Sequence, residues 1–213
     1  MFSKKNKLKI FCIGAGKTGT TSIEKALSDF GYKMGNQEKG ELLLNDYAKR
    51  NFKAIVNFCK TADAFQDAPF CFQHTYQALD QYFPNAKFIL TVRDSDEQWY
   101  NSLINFHSKK FAEGKRTPTW QDLKKASYRY NGYVAEVRKK VFGVFEDEEP
   151  YDEEKLKQYY NTHNAAVIDY FKNKENLLLL NVAKEDAYKT LCTFLKKDPL
   201  YDTFPWKNKT SEI

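Results

Sequence analysis

Short apolar runs alternate with amphipathic stretches along most of the chain. Residues 8–13 read as a buried strand, and residues 21–30 as a helix with Gly31 at its C-terminal stop. Residues 32–34 fit a short strand, and 42–60 a mostly helical stretch. A further strand fits 62–66 and ends at Asp67, just before Pro69. Phe72, Tyr76, Leu79 and Phe83 recur at helical spacing, so a helix runs to Phe83 and stops at Pro84. Residues 87–92, Lys-Phe-Ile-Leu-Thr-Val, form the clearest strand, apolar, partly β-branched and bounded by turn residues. A helix follows from Asp94 through Trp99 and Leu103 towards Phe106. Residues 112–120, polar and carrying Gly114 and Pro118, read as an exposed loop or lid. Helical pattern returns over 133–145 and breaks at the acidic run 146–149 with Pro150. Leu156, Tyr160, His163, Val167 and Tyr170 then mark one face of a long helix. A last strand (177–182) and a last helix (187–196) close the pattern.

Strands alternating with helices predict an α/β fold of three layers, α/β/α, whose central parallel sheet is covered on both faces. No repeat or linker interrupts the pattern, so residues 1–213 read as a single domain. In such sheets ligands bind beyond the C-terminal ends of the strands. Three marked segments lie there: the loop after Ile13, Asp67, and Arg93.

Composition narrows the class. Of 213 residues, 42% are hydrophobic and 16% aromatic, which supports a packed core rather than disorder. No apolar run is long enough to span a membrane, and the lysine-rich start has no apolar segment of signal-peptide type behind it. A cytoplasmic protein is expected. Cys12, Cys59, Cys71 and Cys192 show no metal spacing and sit in apolar contexts, as buried reduced thiols do. His74, His107 and His163 are too scattered for zinc, so no metal site is expected. The net charge of +6 is spread among interleaved acids. It suits a compact polyanionic ligand, and no nucleic-acid partner is expected.

The chemistry concentrates in Gly14-Ala-Gly16-Lys17-Thr18-Gly19-Thr20-Thr21-Ser22. Here a strand, a glycine-rich turn and a helix N-terminus follow one another. Glycines let backbone N–H groups crowd an anion, and the helix dipole favours negative charge at that end. Three templates compete. Gly14-x-Gly16-x-x-Gly19 fits the dinucleotide fingerprint, but no acid follows the second strand until Glu38. Gly14-x-x-x-x-Gly19 nearly fits the nucleoside triphosphate loop, but Thr20 stands where that loop needs its lysine. The lysine is inside the loop instead, at Lys17.

Residues 17–22, Lys-Thr-Gly-Thr-Thr-Ser, resemble the 5′-phosphosulfate loop of sulfotransferases, whose donor is 3′-phosphoadenosine 5′-phosphosulfate (PAPS). Thr91-Val92-Arg93-Asp94 followed by Trp99-Tyr100-Asn101-Ser102 is similar to the same family's 3′-phosphate motif. It departs from that motif by Ser95 in place of proline and by one extra residue before Ser102. Further similarity runs through residues 83–94, Tyr160-x-x-His163-Asn164-x-x-Val167, Leu178-x-x-x-Val182 and Phe204-Pro205-x-x-Asn208. The resemblance implies a P-loop nucleotide hydrolase-like fold and sulfuryl transfer from PAPS, without a metal, to the hydroxyl (or amine) of a small molecule, phenol or glycan. It implies donor binding by Gly16, Lys17, Thr18, Gly19, Thr20, Thr21, Ser22, Arg93 and Ser102. Lys17 would also be catalytic, because the bridging oxygen gains negative charge as the S–O bond breaks.

The attacking group must lose a proton, so a carboxylate or histidine is needed nearby. Asp67, at a strand end on the active edge, and His74, further along, are the candidates. His163 reads as a core histidine and His107 as a surface one. Phe204 and Trp206 read as anchors of the tail, with Lys207 and Asn208 resembling a phosphate-proximal tail. The competing readings are a P-loop nucleotide or small-molecule kinase and a catalytically silent nucleotide-binding module.

Overall fold

The computed structural model describes residues 8–205. Four strands form one sheet: β1 (Ile10–Cys12), β2 (Ala64–Phe65), β3 (Lys87–Thr91) and β4 (Leu177–Leu180). The spatial order is β2-β1-β3-β4 and every pair is parallel. Strand β1 therefore sits between β2 and β3, with Cys12 opposite Ile89. The loops that follow β1, β2 and β3 open on the same edge, as the sequence predicts.

The period of two along the strands sorts the core into two layers. Ile10, Cys12, Ala64 and Ile89 face one side. They pack on Ile23, Ala26 and Leu27 of α1 (Thr20–Asp29), and on Tyr188, Leu191 and Leu195 of α10 (Ala187–Leu195). Phe204 joins this layer, its ring 5.3 Å from that of Tyr188. Phe11, Ile13, Phe65, Phe88 and Leu90 face the other side. There Phe11 packs on the rings of Phe65, Phe70, Phe83 and Phe88 at 5.5–5.8 Å. Both faces are covered, which is why the strands read as nearly continuous apolar runs.

The second face carries most of the helices. These are α2 (Gln37–Glu41), α3 (Leu44–Ala48), α4 (Phe52–Phe58), α5 (Thr75–Tyr82), α6 (Asp96–Phe111), α7 (Trp120–Lys125), α8 (Tyr133–Phe142) and α9 (Glu153–Phe171). Differences from the sequence reading are local. The stretch 42–60 is two short helices and a 3-10 turn rather than one run, because Arg50, at φ +56, breaks it. Residues 32–34 contribute one bridge, Met34 to Ala64, instead of a strand. The 112–120 segment is a loop with residues 113–117 exposed, as read from the sequence, and it is tied at both ends. Ser108 Oγ donates to the Arg116 carbonyl at 2.7 Å, and Thr119 and Asp122 cap α7 reciprocally. Among the described residues no helix is long and apolar enough to cross a membrane. Trp206, Lys207 and Asn208 lie outside the described residues.

Candidate active site

The loop between β1 and α1 is fixed by its carbonyl oxygens. His163, on α9, reaches the Ile13 carbonyl with Nε2 at 2.8 Å. Thr18 Oγ1 donates to Ala15 O at 2.6 Å and lies 2.6 Å from Thr91 Oγ1, so the Thr91 hydroxyl donates back to Thr18. The Trp99 indole N–H donates to Gly16 O at 2.9 Å. Arg93 Nε donates to Lys17 O at 2.8 Å. The carbonyls of Ile13, Gly16 and Lys17 are thus tied to the body of the protein, and that of Ala15 is tied within the loop. Outside the turn at residues 16–17, no amide of residues 15–21 donates to a backbone carbonyl among the described residues. The loop offers N–H groups and little else, which is the polarity an anion requires.

The glycines serve separate purposes. A Cβ on Gly14 would lie 2.2 Å from Thr91 Oγ1 and 2.3 Å from Thr91 O, so only glycine lets the loop pass against β3. Gly19 takes φ +96 as the N-cap of α1. A Cβ on Gly16 would meet no protein atom within 4 Å, so it points into open space beside the cradle. Lys17 itself is left-handed, at φ +73.

A second chain of contacts joins the loop to the end of β3. The Arg93 amide donates to the Tyr160 hydroxyl at 2.9 Å, and the Tyr160 ring stacks on Trp99 at 4.6 Å and 13°. Trp99 in turn holds Gly16. The two phosphate-type motifs are therefore one rigid unit. Arg93 is in no ion pair among the described residues, so its outer guanidinium nitrogens stay available. Burial lowers the Arg93 pKa from its ordinary value. Ser102 lies three residues beyond Trp99 on α6 and is half-buried. In the non-helical turn before α6, Ser95 is extended and caps the helix by accepting from the Gln98 amide at 3.1 Å.

The loop faces a cavity of about 300 Å³. Gly16, Lys17, Thr20, Thr21 and Asp67 line it at the sheet edge. Thr18 and Ser22 are buried and do not line it, Thr18 acting within the loop instead. Asp67, at φ +57, turns its carboxyl back towards the loop; Gln37 Nε2 donates to Oδ2 at 3.1 Å, and Oδ1 is sealed from solvent. Burial pushes the Asp67 pKa up to about 6, opposed by the Thr20 hydroxyl and the Lys17 ammonium. Burial lowers the Lys17 pKa to about 8, opposed by Asp67, with Lys110 and Arg93 adding to the fall. The Lys17 ammonium lies 3.2 Å from the centre of the Phe106 ring. The site thus holds a carboxylate that takes a proton near neutrality and an ammonium beside it that can lose one.

His74 is not brought to this cavity. It is exposed and left-handed at the N-cap of α5. His107 corrects the sequence reading in the opposite direction. It lines the cavity, packed against Tyr151 and Phe111, and burial holds its pKa well below the usual 6.5. Position in a polar-flanked helix suggested surface, but α6 turns that face onto α8 and the 151 region. Trp99, Tyr160 and Arg138 are the functional neighbours that sequence reasoning left unassigned. Trp99 and Tyr160 belong to the motif-like segments 99–102 and 160–167, which was the available signal. Arg138, on an amphipathic helix, gave none. Among the described residues no group of three or more His, Cys, Asp or Glu side chains is placed to hold a metal ion.

The remaining walls are largely aromatic, with Phe72, Trp99, Phe111, Tyr128, Tyr133 and Tyr159 among them. A polar anion cradle thus opens into an apolar chamber, with an acid–base pair where they meet. No curated protein sequence matches the chain. A family model described as a sulfotransferase domain matches residues 9–213. With its parallel sheet, the loop after β1 and nearly its whole length inside that match, the chain belongs to the sulfotransferase domain family.

Proposed function

We propose that the protein moves a sulfuryl group from PAPS to the hydroxyl (or amine) of a small acceptor with an aromatic or apolar body, releasing 3′,5′-bisphosphoadenosine. The observation that carries this reading is the meeting of Lys17, Asp67 and the carbonyl-stripped loop in one cavity. PAPS supplies an activated sulfuryl group and a phosphate leaving group. The residues present fit it: free amides and the open space at Gly16 for the 5′ end, and the Arg93 guanidinium, with Ser102, for the 3′-phosphate.

Each side chain then has one task. Asp67, ionised above about pH 6, accepts the acceptor's proton as its oxygen bonds to sulfur. Lys17 and the N-terminus of α1 would stabilise the negative charge left on the departing phosphate, whose bridging oxygen would keep the electron pair of the broken S–O bond. Trp99, Tyr160 and Thr18 hold the loop still, so that little reorganisation accompanies the charge shift. The apolar walls exclude water that would compete as acceptor.

A transfer assay with labelled PAPS and a panel of phenols and sugars tests the reading. Turnover that disappears in Lys17→Ala supports it. No turnover with any acceptor, in a protein that binds the nucleotide, would instead indicate a silent binding module.

A further inference from the structure

On the α8 side of the cavity lies a guanidinium with no counter-ion. Arg138 is 1% exposed, yet among the described residues it is in no ion pair, and its Nε and Nη1 have no hydrogen-bond partner. Its Cζ lies over the Tyr151 ring, 4.2 Å from the ring centre, and over the Phe142 ring at 5.0 Å. Nη2 donates to His107 Nδ1 at 3.0 Å. Arginine can only donate, so Nδ1 accepts. The Tyr151 hydroxyl, 2.7 Å from the same nitrogen, is then a donor to it as well. These partners assign the histidine proton to Nε2, and burial together with the Arg138 charge keeps the ring neutral. His107 thus presents a second N–H at the same wall.

The charges around the chamber do not balance. Asp67 is matched by Lys17, and Glu41 by Arg129, which holds it through Nε. Lys110, which also feels the Glu41 charge, and Arg138 remain; both line the chamber, and among the described residues neither is in an ion pair. A buried arginine left in this state destabilises the free protein, and a bound anion removes that penalty. A planar carboxylate suits it best, because a guanidinium donates two parallel N–H bonds to such a group, and Nε and Nη1 are left without partners among the described residues.

We infer that the acceptor is a hydroxylated aromatic acid whose carboxylate is held by Arg138, with His107 as a second donor. This rests on the reading of the cavity as the acceptor chamber. Arg138 is a specificity residue here; the reacting groups stay at Lys17 and Asp67.

The test is calorimetric and does not need turnover. The protein is first titrated with 3′,5′-bisphosphoadenosine, then with 3-(4-hydroxyphenyl)propanoate or 4-hydroxyphenylacetate, each against its primary amide. The acids are expected to bind at least tenfold more tightly than the amides. Arg138→Met should abolish that difference while leaving amide affinity within about twofold, and should leave the melting temperature unchanged or higher. Should Arg138→Met not fold, Arg138→Lys and His107→Gln serve, each expected to reduce the preference for the acid. Equal binding of acid and amide, no acid binding at all, or an acid preference that survives in the variants overturns the inference. A lowered melting temperature with the preference intact assigns Arg138 a structural role and overturns it as well. Nucleotide binding in the first titration separates these failures from a failure of the sulfotransferase reading. If the nucleotide does not bind, the acids are titrated alone, and the same preference is required.

Discussion

Replacing Asp67 by Asn sets function against stability, and the size of the trade can be worked out. Its pKa rises from 3.8 to about 6 because the carboxyl is buried. At ~1.4 kcal/mol per unit, two units are worth ~3 kcal/mol as the limit for a fully sealed carboxyl. Asp67 keeps partial exposure to the cavity, so the measured value should lie nearer ~1–2 kcal/mol. Because the folded pKa is the raised one, the penalty is absent below the unfolded pKa. It accrues as pH rises from about 4 to about 6 and is constant above that. Asn mimics the protonated acid. The variant should therefore be more stable than the wild type at about pH 8, and the gain should shrink by about half near pH 5. In a chain of this length each kcal/mol corresponds to ~2–4 °C in Tm. Turnover should fall by ~10²–10⁴, the usual contribution of a general base. Urea unfolding at the two pH values, alongside the labelled-donor assay, measures both arms. A variant that is less stable at pH 8, or that retains turnover, refutes the assignment of a buried base at Asp67.

Other outcomes follow from the same geometry. The pH profile of kcat/KM should be bell-shaped, rising through about 6 as Asp67 ionises and falling through about 8 as Lys17 loses its proton; in Asp67→Asn the acid limb should vanish. Gly14→Ala and Gly16→Ala should part company in a melting experiment. The first drives a methyl into the Thr91 backbone and should lose ~1–3 kcal/mol or more. The second meets no protein atom, so it should melt like wild type while losing affinity for 3′,5′-bisphosphoadenosine. Trp99→Phe leaves Gly16 O without its donor and should weaken that nucleotide by about tenfold in a direct titration, as ~1–2 kcal/mol implies.

The framework of this fold was legible because its strands are short, apolar and separated by helices of clear period. Residues 87–92 and the 156–170 stripe carried their own proof in spacing, and β3 and α9 formed there. The stretch 42–60 was not, since its breaks lie in local backbone turns such as Arg50 rather than in the hydrophobic pattern. At the site, the loop and Arg93 were readable as motifs. The way the loop carbonyls are tied down was not, because Trp99 and His163 come from helices 83 and 150 residues away in the chain. His107 and Arg138 show the limit most clearly. Each sits on an amphipathic helix among lysines, and only the packing of α6 on α8 turns them towards the cavity. His74, placed near Asp67 by sequence, is carried away from the cavity by its own turn at the start of α5.

The most direct test of the account is a calorimetric comparison of 3′,5′-bisphosphoadenosine with magnesium ATP. The loop has Thr20 where a triphosphate loop carries its lysine, and the Arg93 guanidinium beside it is in no ion pair among the described residues, as the proposed 3′-phosphate site requires. Micromolar binding of the bisphosphate, weakened at least tenfold in Arg93→Ala, together with no ATP binding, is the predicted result. Tight magnesium-dependent ATP binding with no affinity for the bisphosphate would contradict it.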